Sequence, residues 1–313
     1  MTQPPANVVP VCYRHPNRET YVRCTRCDRP ICPDCMNEAS VGFQCPDCVR
    51  EGTKTQRQAR TAFGGARTGA EGTVTISLIV VNVLIFIAGI ISAGRNAAHG
   101  LGGGGMGGLL GGSTPLNDWG AVVPYWATQT GVRVAHNAVA DGEWYRLFTA
   151  MFLHYGLVHL LLNMWAIWVL GRPLEAALGR LRFLALYLLA GLGGNVLAFM
   201  LTGPNVQSAG ASTAVYGLFA AMIVVLRKMR ASVAGIVPVL IFNLVLSFSI
   251  RGVSWQGHIG GLIIGGIVAA GFAYAPREHR NATQIATVVG TLVLLGIGFA
   301  VGLSWIPAVG YPA

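Results

Sequence analysis

The feature that most constrains this chain is a succession of seven apolar runs, at about residues 74–93, 149–170, 183–201, 211–226, 232–250, 254–274 and 285–303. Most hold the roughly 20 residues needed to cross a hydrocarbon core about 30 Å thick. In such a core each segment must satisfy its own backbone N–H and C=O groups, so the runs are expected to be helices. Composition agrees, since 53% of the 313 residues are hydrophobic and 11% charged, against roughly 25% charged in soluble domains. A soluble globular enzyme is excluded. The gaps on one side hold Arg172, Arg180, Arg182, Arg227, Lys228, Arg230, Arg277 and Arg280, and those on the other only Arg95, Arg133, Arg146 and Arg251. This bias predicts a cytoplasmic N-terminus and an external C-terminus. The net charge of +10 is then weak evidence for nucleic acid, since the ten basic residues before residue 74 form no block of consecutive charges and most of the rest fall in these gaps. A lipid bilayer is therefore the expected partner, and nucleic acid is not.

All seven cysteines lie in the first 48 residues, a polar segment unlike the rest of the chain. The opening MTQPPANVVP shows no basic stretch followed by an apolar core, so no secretory signal is read there and the head is expected in the cytosol. Four pairs have metal-ligand spacing: Cys12-x2-His15, Cys24-x2-Cys27, Cys32-x2-Cys35 and Cys45-x2-Cys48. Eight ligands suit two tetrahedral zinc ions with no open coordination position, which makes both zincs structural. An odd cysteine count and a reducing compartment argue against a disulfide framework. The short gap between the second and third pairs favours interleaving, with Cys12, His15, Cys32 and Cys35 on one ion and Cys24, Cys27, Cys45 and Cys48 on the other. A sequential pairing stays open. The spacing resembles a small B-box-type zinc finger, a resemblance that implies a cytosolic protein partner. Residues 52–73, rich in Gln, Arg, Thr and Gly, are expected to form a flexible basic linker near lipid head groups.

The fourth run is short, and 16 residues at 1.5 Å per residue reach only about 24 Å. The uncharged stretch 202–210 before it must then dip into the bilayer, which is tolerated only where protein or a water-filled cavity surrounds it. Strongly polar groups at membrane depth are costly and usually functional. Here they are His154, His159 and Asn163 in the second run, Ser212 at the start of the fourth and His258 near the start of the sixth. His159 and Asn163 lie four apart, on one helix face, as do Ser212 and Tyr216. Gly257, Gly261 and Gly265 form a smooth ridge beside His258 that allows close helix approach. Singly, a membrane Ser bonds its own helix, a His packs on a neighbour and a Gly ridge serves association. Jointly, at matched depth, they supply a nucleophile, its general base and oxyanion donors.

At these positions the sequence resembles the rhomboid family of intramembrane serine proteases. The resemblance covers residues 74 to about 275 and rests on His154-x4-His159-x3-Asn163, on Gly210-Ala211-Ser212 with Tyr216, and on His258-x2-Gly261-x3-Gly265. It implies Ser212 as nucleophile and His258 as base of a Ser-His dyad, with Tyr216 stacking on His258. It implies an oxyanion hole from His159, Asn163 and the N–H groups of Ala211 and Ser212, and a supporting place for His154. Glu143-Trp144-Tyr145-Arg146 resembles the family's first-loop motif, with Tyr145 where Trp is usual, and Thr213 stands where the family commonly has Gly. The implied substrates are transmembrane proteins, cut near small and helix-breaking residues. A non-catalytic rhomboid-like protein that binds membrane clients is the first rival, although such proteins typically lack the Ser or the His. A proton-relay transporter is the second, disfavoured because no Asp or Glu accompanies the buried histidines. The expected fold is an all-α polytopic membrane protein. It comprises a zinc-binding head (1–51), the linker (52–73), a six-helix core (74–275) and a seventh transmembrane helix with a short external tail (276–313). A bacterial plasma membrane is the expected location.

Overall fold

The computed structural model of the protein describes residues 9–55, 60–66, 72–94, 112–250 and 252–309. Most of the Gly-rich stretch 100–112, Arg95 and Arg251 lie outside them. The chain divides into two compact units, Met1–Gln58 and Ala59–Ala313.

The first unit has almost no apolar core. Its fully buried side chains are Ile31 and cysteines, with Tyr13, Met36 and Phe43 packed around them. Short bridges pair Val11 with Glu19 and Arg23 with Pro30, and the buried Thr20 hydroxyl donates to Ile31 O at 2.8 Å. A two-stranded antiparallel sheet of β1 (Asn37–Glu38) and β2 (Phe43–Gln44) leads into α1 (Pro46–Thr55).

The second unit is helical. Its long elements are α2 (Thr73–Ala93), α5 (Leu157–Leu178), α6 (Arg180–Leu201), α7 (Ser212–Lys228), α8 (Val237–Ser249), α9 (Trp255–Ala273) and α10 (Arg280–Trp305). Between α2 and α5 lie α3 (Pro115–Gly120), a hairpin of β3 (Trp126–Ala127) and β4 (Arg133–Val134), and α4 (Arg146–Thr149). Among the described residues, five helices are long and apolar enough to cross a membrane: α2, α5, α6, α9 and α10. The 17 residues of α7 and 13 of α8 correspond to about 26 and 20 Å. The fifth apolar run is thus shorter than the expected 232–250. Pro238 sits in the first turn of α8, where its missing N–H removes no intrahelical bond.

The second run also shifts. Its expected span of 149–170 becomes 157–178, because Gly156 adopts a left-handed backbone (φ 80°) and starts the helix late. The helix then continues past Arg172 and Pro173 to include Glu175, so one carboxylate does lie within a spanning helix. Buried Glu175 accepts from Val74 N (2.9 Å), Thr75 N (2.8 Å) and the Thr75 hydroxyl (2.8 Å). These donors belong to the first turn of α2, whose N–H groups have no intrahelical partner and whose dipole favours an anion. Part of the expected linker is likewise anchored: Phe63 is buried, its N–H donates to Ala177 O, and its carbonyl accepts from Gln284.

α9 packs against both α6 and α7. Glycine makes this possible: a Cβ at Gly261 would strike the carbonyl of Thr213, and one at Gly265 would strike the backbone of Gly217. Gly265→Val is expected to cost about 1–3 kcal/mol by overpacking, read as a lowered thermal unfolding transition in detergent. An unchanged transition would mean the two helices do not depend on this approach.

Candidate active site

Ser212 is the first residue of α7, and His258 lies in the first turns of α9. Ser254 caps α9, its hydroxyl accepting from Gly257 N, so the entry to the helix is held one turn from the imidazole. The close contact of α7 with α9 places Ser212 Oγ 2.8 Å from His258 Nε2. The Tyr216 ring, one turn along α7, stacks on the imidazole with centroids 4.1 Å apart and planes 15° apart. His258 is buried and Ser212 half-buried.

Thr213 packs between α6 and α9, its buried hydroxyl without a hydrogen-bond partner among the described residues. Gly194 of α6 and Gly257 of α9 face its methyl and Cβ, leaving the room a side chain there needs.

His154 lies in an extended segment before α5, not within the helix as its apolar surroundings suggested. Its Nε2 accepts from Ala211 N at 3.4 Å, and its ring meets that of His159 edge-on at 5.0 Å. The Ala211 N–H, expected as an oxyanion donor, is therefore directed at His154. The N–H of Ser212, in the first turn of α7, belongs to the helix-start donors without an intrahelical acceptor. His159 Nδ1 accepts from Tyr155 N at 3.3 Å, which assigns the proton of a neutral imidazole to Nε2. That Nε2 borders Gly210: a Cβ there would sit 2.8 Å from it and 3.5 Å from Ser212 Oγ. Gly210 also has φ 141°, so glycine is required twice over. Asn163 Nδ2 donates to His159 O at 2.8 Å, leaving its second amide hydrogen free for another acceptor.

The loop 202–210 is anchored to neighbouring segments, although Gly203, Asn205 and Val206 are exposed. Ser208 pairs with Val122, Asn205 exchanges side-chain hydrogen bonds with Ala127, and Gly210 N donates to Ala150 O. The first-loop motif is structural in its contacts: buried Arg146 bonds Glu143, Asp118 O and Ala121 O, and Tyr145 stacks on Trp119 at 4.9 Å.

One polar residue of this site escaped the sequence reading. Ser247 of α8 is buried, and its Oγ lies 2.7 Å from His258 Nδ1 and 2.7 Å from the Tyr216 hydroxyl. A signal existed: Leu240 and Ser247, seven apart, lie on one face of the helix and are its buried residues.

The head brings together the interleaved ligand sets. The donor atoms of Cys12, His15, Cys32 and Cys35 lie within 4.8 Å of one another, as do those of Cys24, Cys27, Cys45 and Cys48. His15 Nδ1 is 3.2 to 3.8 Å from the three sulfurs of its set, and Cys27 and Cys45 sulfurs are 3.7 Å apart. A zinc–sulfur bond of about 2.3 Å implies tetrahedral edges of about 3.8 Å, so both sets can hold a metal ion. Burial raises the Cys12 and Cys24 thiols, but backbone N–H groups at Cys32, Arg14 and His15, and at Cys45, Arg26 and Cys27, outweigh it and bring each to about 6. The all-cysteine set also receives Arg29, whose Nε donates to Cys27 Sγ at 3.2 Å.

Comparison with known proteins decides the family. A family model described as a rhomboid domain matches residues 141–277. The chain is 37% identical over 183 residues to Rhomboid protease GluP of Bacillus subtilis (strain 168), covering 55% of this chain and 35% of that protein. It is 32% identical over 166 residues to YdcA of the same organism, covering 51% of this chain and 81% of that protein. The chain belongs to the rhomboid family. A third rhomboid relative, Rhomboid protease AarA of Providencia stuartii, is 26% identical over 181 residues, 49% of this chain and 64% of that protein. The chain thus spans about a third of the length of GluP and just under two thirds of AarA. Its rhomboid domain and apolar helices make it an integral membrane protein.

Proposed function

We propose that this rhomboid is an intramembrane serine endopeptidase that hydrolyses a peptide bond within or beside a transmembrane helix of another membrane protein. The observation that carries the reading is the 2.8 Å contact between Ser212 Oγ and His258 Nε2, at the first residue of a short helix. His258 accepts the hydroxyl proton as Oγ bonds to the scissile carbonyl carbon. The resulting oxyanion is held by His159 Nε2–H, the free amide hydrogen of Asn163 and the N–H of Ser212. His258 returns the proton to the departing amine, an acyl-enzyme remains, and a water deprotonated by His258 releases it. The relatives named as proteases support this chemistry.

The two Cys/His sets hold structural zinc, whose contribution is to fold the head, a docking module for a cytosolic protein. The N-terminus is cytoplasmic, the C-terminus external, and the membrane a bacterial plasma membrane. The test is cleavage of a model transmembrane substrate by the full chain reconstituted in vesicles, with the cut mapped by mass spectrometry. A cut in or next to the membrane segment is expected. Binding of folded enzyme to intact, uncut substrates across several sequences would favour the client-binding reading instead.

A further inference from the structure

We infer that Ser247 is a positioning residue that fixes the proton on Nδ1 of His258 and so leaves Nε2 bare to take the proton of Ser212. The inference rests on the protease reading of the Ser212–His258 pair and adds a third group to it.

Ser247 Oγ has three close polar neighbours: Asn243 O at 2.8 Å, the Tyr216 hydroxyl at 2.7 Å and His258 Nδ1 at 2.7 Å. A hydroxyl brings one hydrogen and two lone pairs. Asn243 O is a carbonyl and can only accept, so the Ser247 hydrogen points there. Both remaining neighbours must then donate, Tyr216 through its O–H and His258 through Nδ1–H. The opposite assignment, with Ser247 donating to Nδ1, would set two bare oxygens 2.8 Å apart at Asn243. In a neutral imidazole a proton on Nδ1 means a lone pair on Nε2, the atom that faces Ser212 Oγ at 2.8 Å. Proton position thus runs in one direction along a chain from Ser212 O–H to His258, to Ser247, to the backbone of α8. When His258 takes up the Ser212 proton, Nδ1–H keeps its acceptor and the cation is met by an oxygen already polarised toward it. Carboxylates do this in Ser-His-Asp triads, where loss of the correct tautomer is costly. Here a buried hydroxyl tethered to a helix carbonyl does it without placing a charge in the membrane. Tyr216 has a double function in this arrangement, stacking on the ring and filling the second lone pair of Ser247.

The test uses the full chain in detergent with nitrogen-15 histidine, the His258 signals being those lost in His258→Gln. Wild type is expected to show a protonated Nδ1 and a bare Nε2. Ser247→Ala is expected to lose that preference and to slow covalent modification of Ser212 by a fluorophosphonate about 10-fold, the loss of one buried hydrogen bond. Ser247→Thr, which keeps the hydroxyl, restores both readouts. A comparison of thermal transitions separates this from misfolding. Two results overturn the inference: an Nε2–H tautomer in wild type, or Ser247→Ala with wild-type tautomer and rate. A wild type with the expected tautomer but no reaction with fluorophosphonate overturns the protease reading, a separate failure.

Discussion

Ser212→Ala is expected to lower cleavage of a transmembrane substrate by about 10⁴–10⁶-fold, and His258→Ala by a similar factor, with binding of substrate retained. The reason is geometric. His258 Nε2 lies 2.8 Å from Ser212 Oγ where α7 and α9 approach closely at glycines, and among the described residues no carboxylate contacts His258 to substitute for the imidazole. Members of a catalytic unit fail together, so the double variant should be no slower than either single one. An additive loss would mean that the two residues act separately and would sink the dyad. His258→Ala also removes the ring on which Tyr216 stacks. Retention of the thermal unfolding transition is therefore part of the expected result, and fluorophosphonate labelling should vanish in Ser212→Ala even where folding is intact.

Stripping metal with a strong chelator is expected to unfold the region 9–55, read as loss of amide-exchange protection there. The buried interior of that unit is Ile31 and cysteine sulfur, far too little apolar surface to fold alone. Binding of structural zinc supplies about 10–16 kcal/mol in small zinc domains, which here would be most of the stability. Elemental analysis should find two zinc ions per chain. Cys12→Ser should release one and leave the ion on Cys24, Cys27, Cys45 and Cys48, since the two sets share no ligand. Release of both ions together, or full protection after chelation, would contradict two independent structural sites. Labelling of Ser212 should survive chelation, because no Cys/His set lies among its partners.

Much of the site was legible because its signals are local. His159 and Asn163 declare themselves by polar character within an apolar run, Gly210 by standing two residues before the serine, and the candidate metal ligands by x2 spacing within knuckles. The errors came where a distant partner reversed a local signal. Hydropathy ended the second helix at Leu170, but Glu175 can extend the helix within the protein because the first turn of α2, 100 residues away, needs an acceptor. His154 was assigned to a helix on apolarity, whereas Gly156 breaks the chain there and turns the imidazole toward Ala211. The basic segment before α2 read as linker on composition, yet Phe63 is buried within the second unit.

By itself, the sequence determined that this chain spans a membrane, that its head can bind metal, and which serine and histidines are the candidates for its chemistry. Spanning length, ligand spacing and polar groups in apolar runs follow from properties of neighbouring residues, which the sequence displays directly. Only the tertiary structure decided that Thr213 fits opposite Gly194 and Gly257, that Ala211 N–H is taken by His154, and that Ser247 meets the back of His258. Each depends on which atoms of segments distant in sequence the fold brings within hydrogen-bond or van der Waals contact. A serine on a short helix that bonds its own backbone looks the same in sequence whether its remaining lone pairs face lipid or an imidazole.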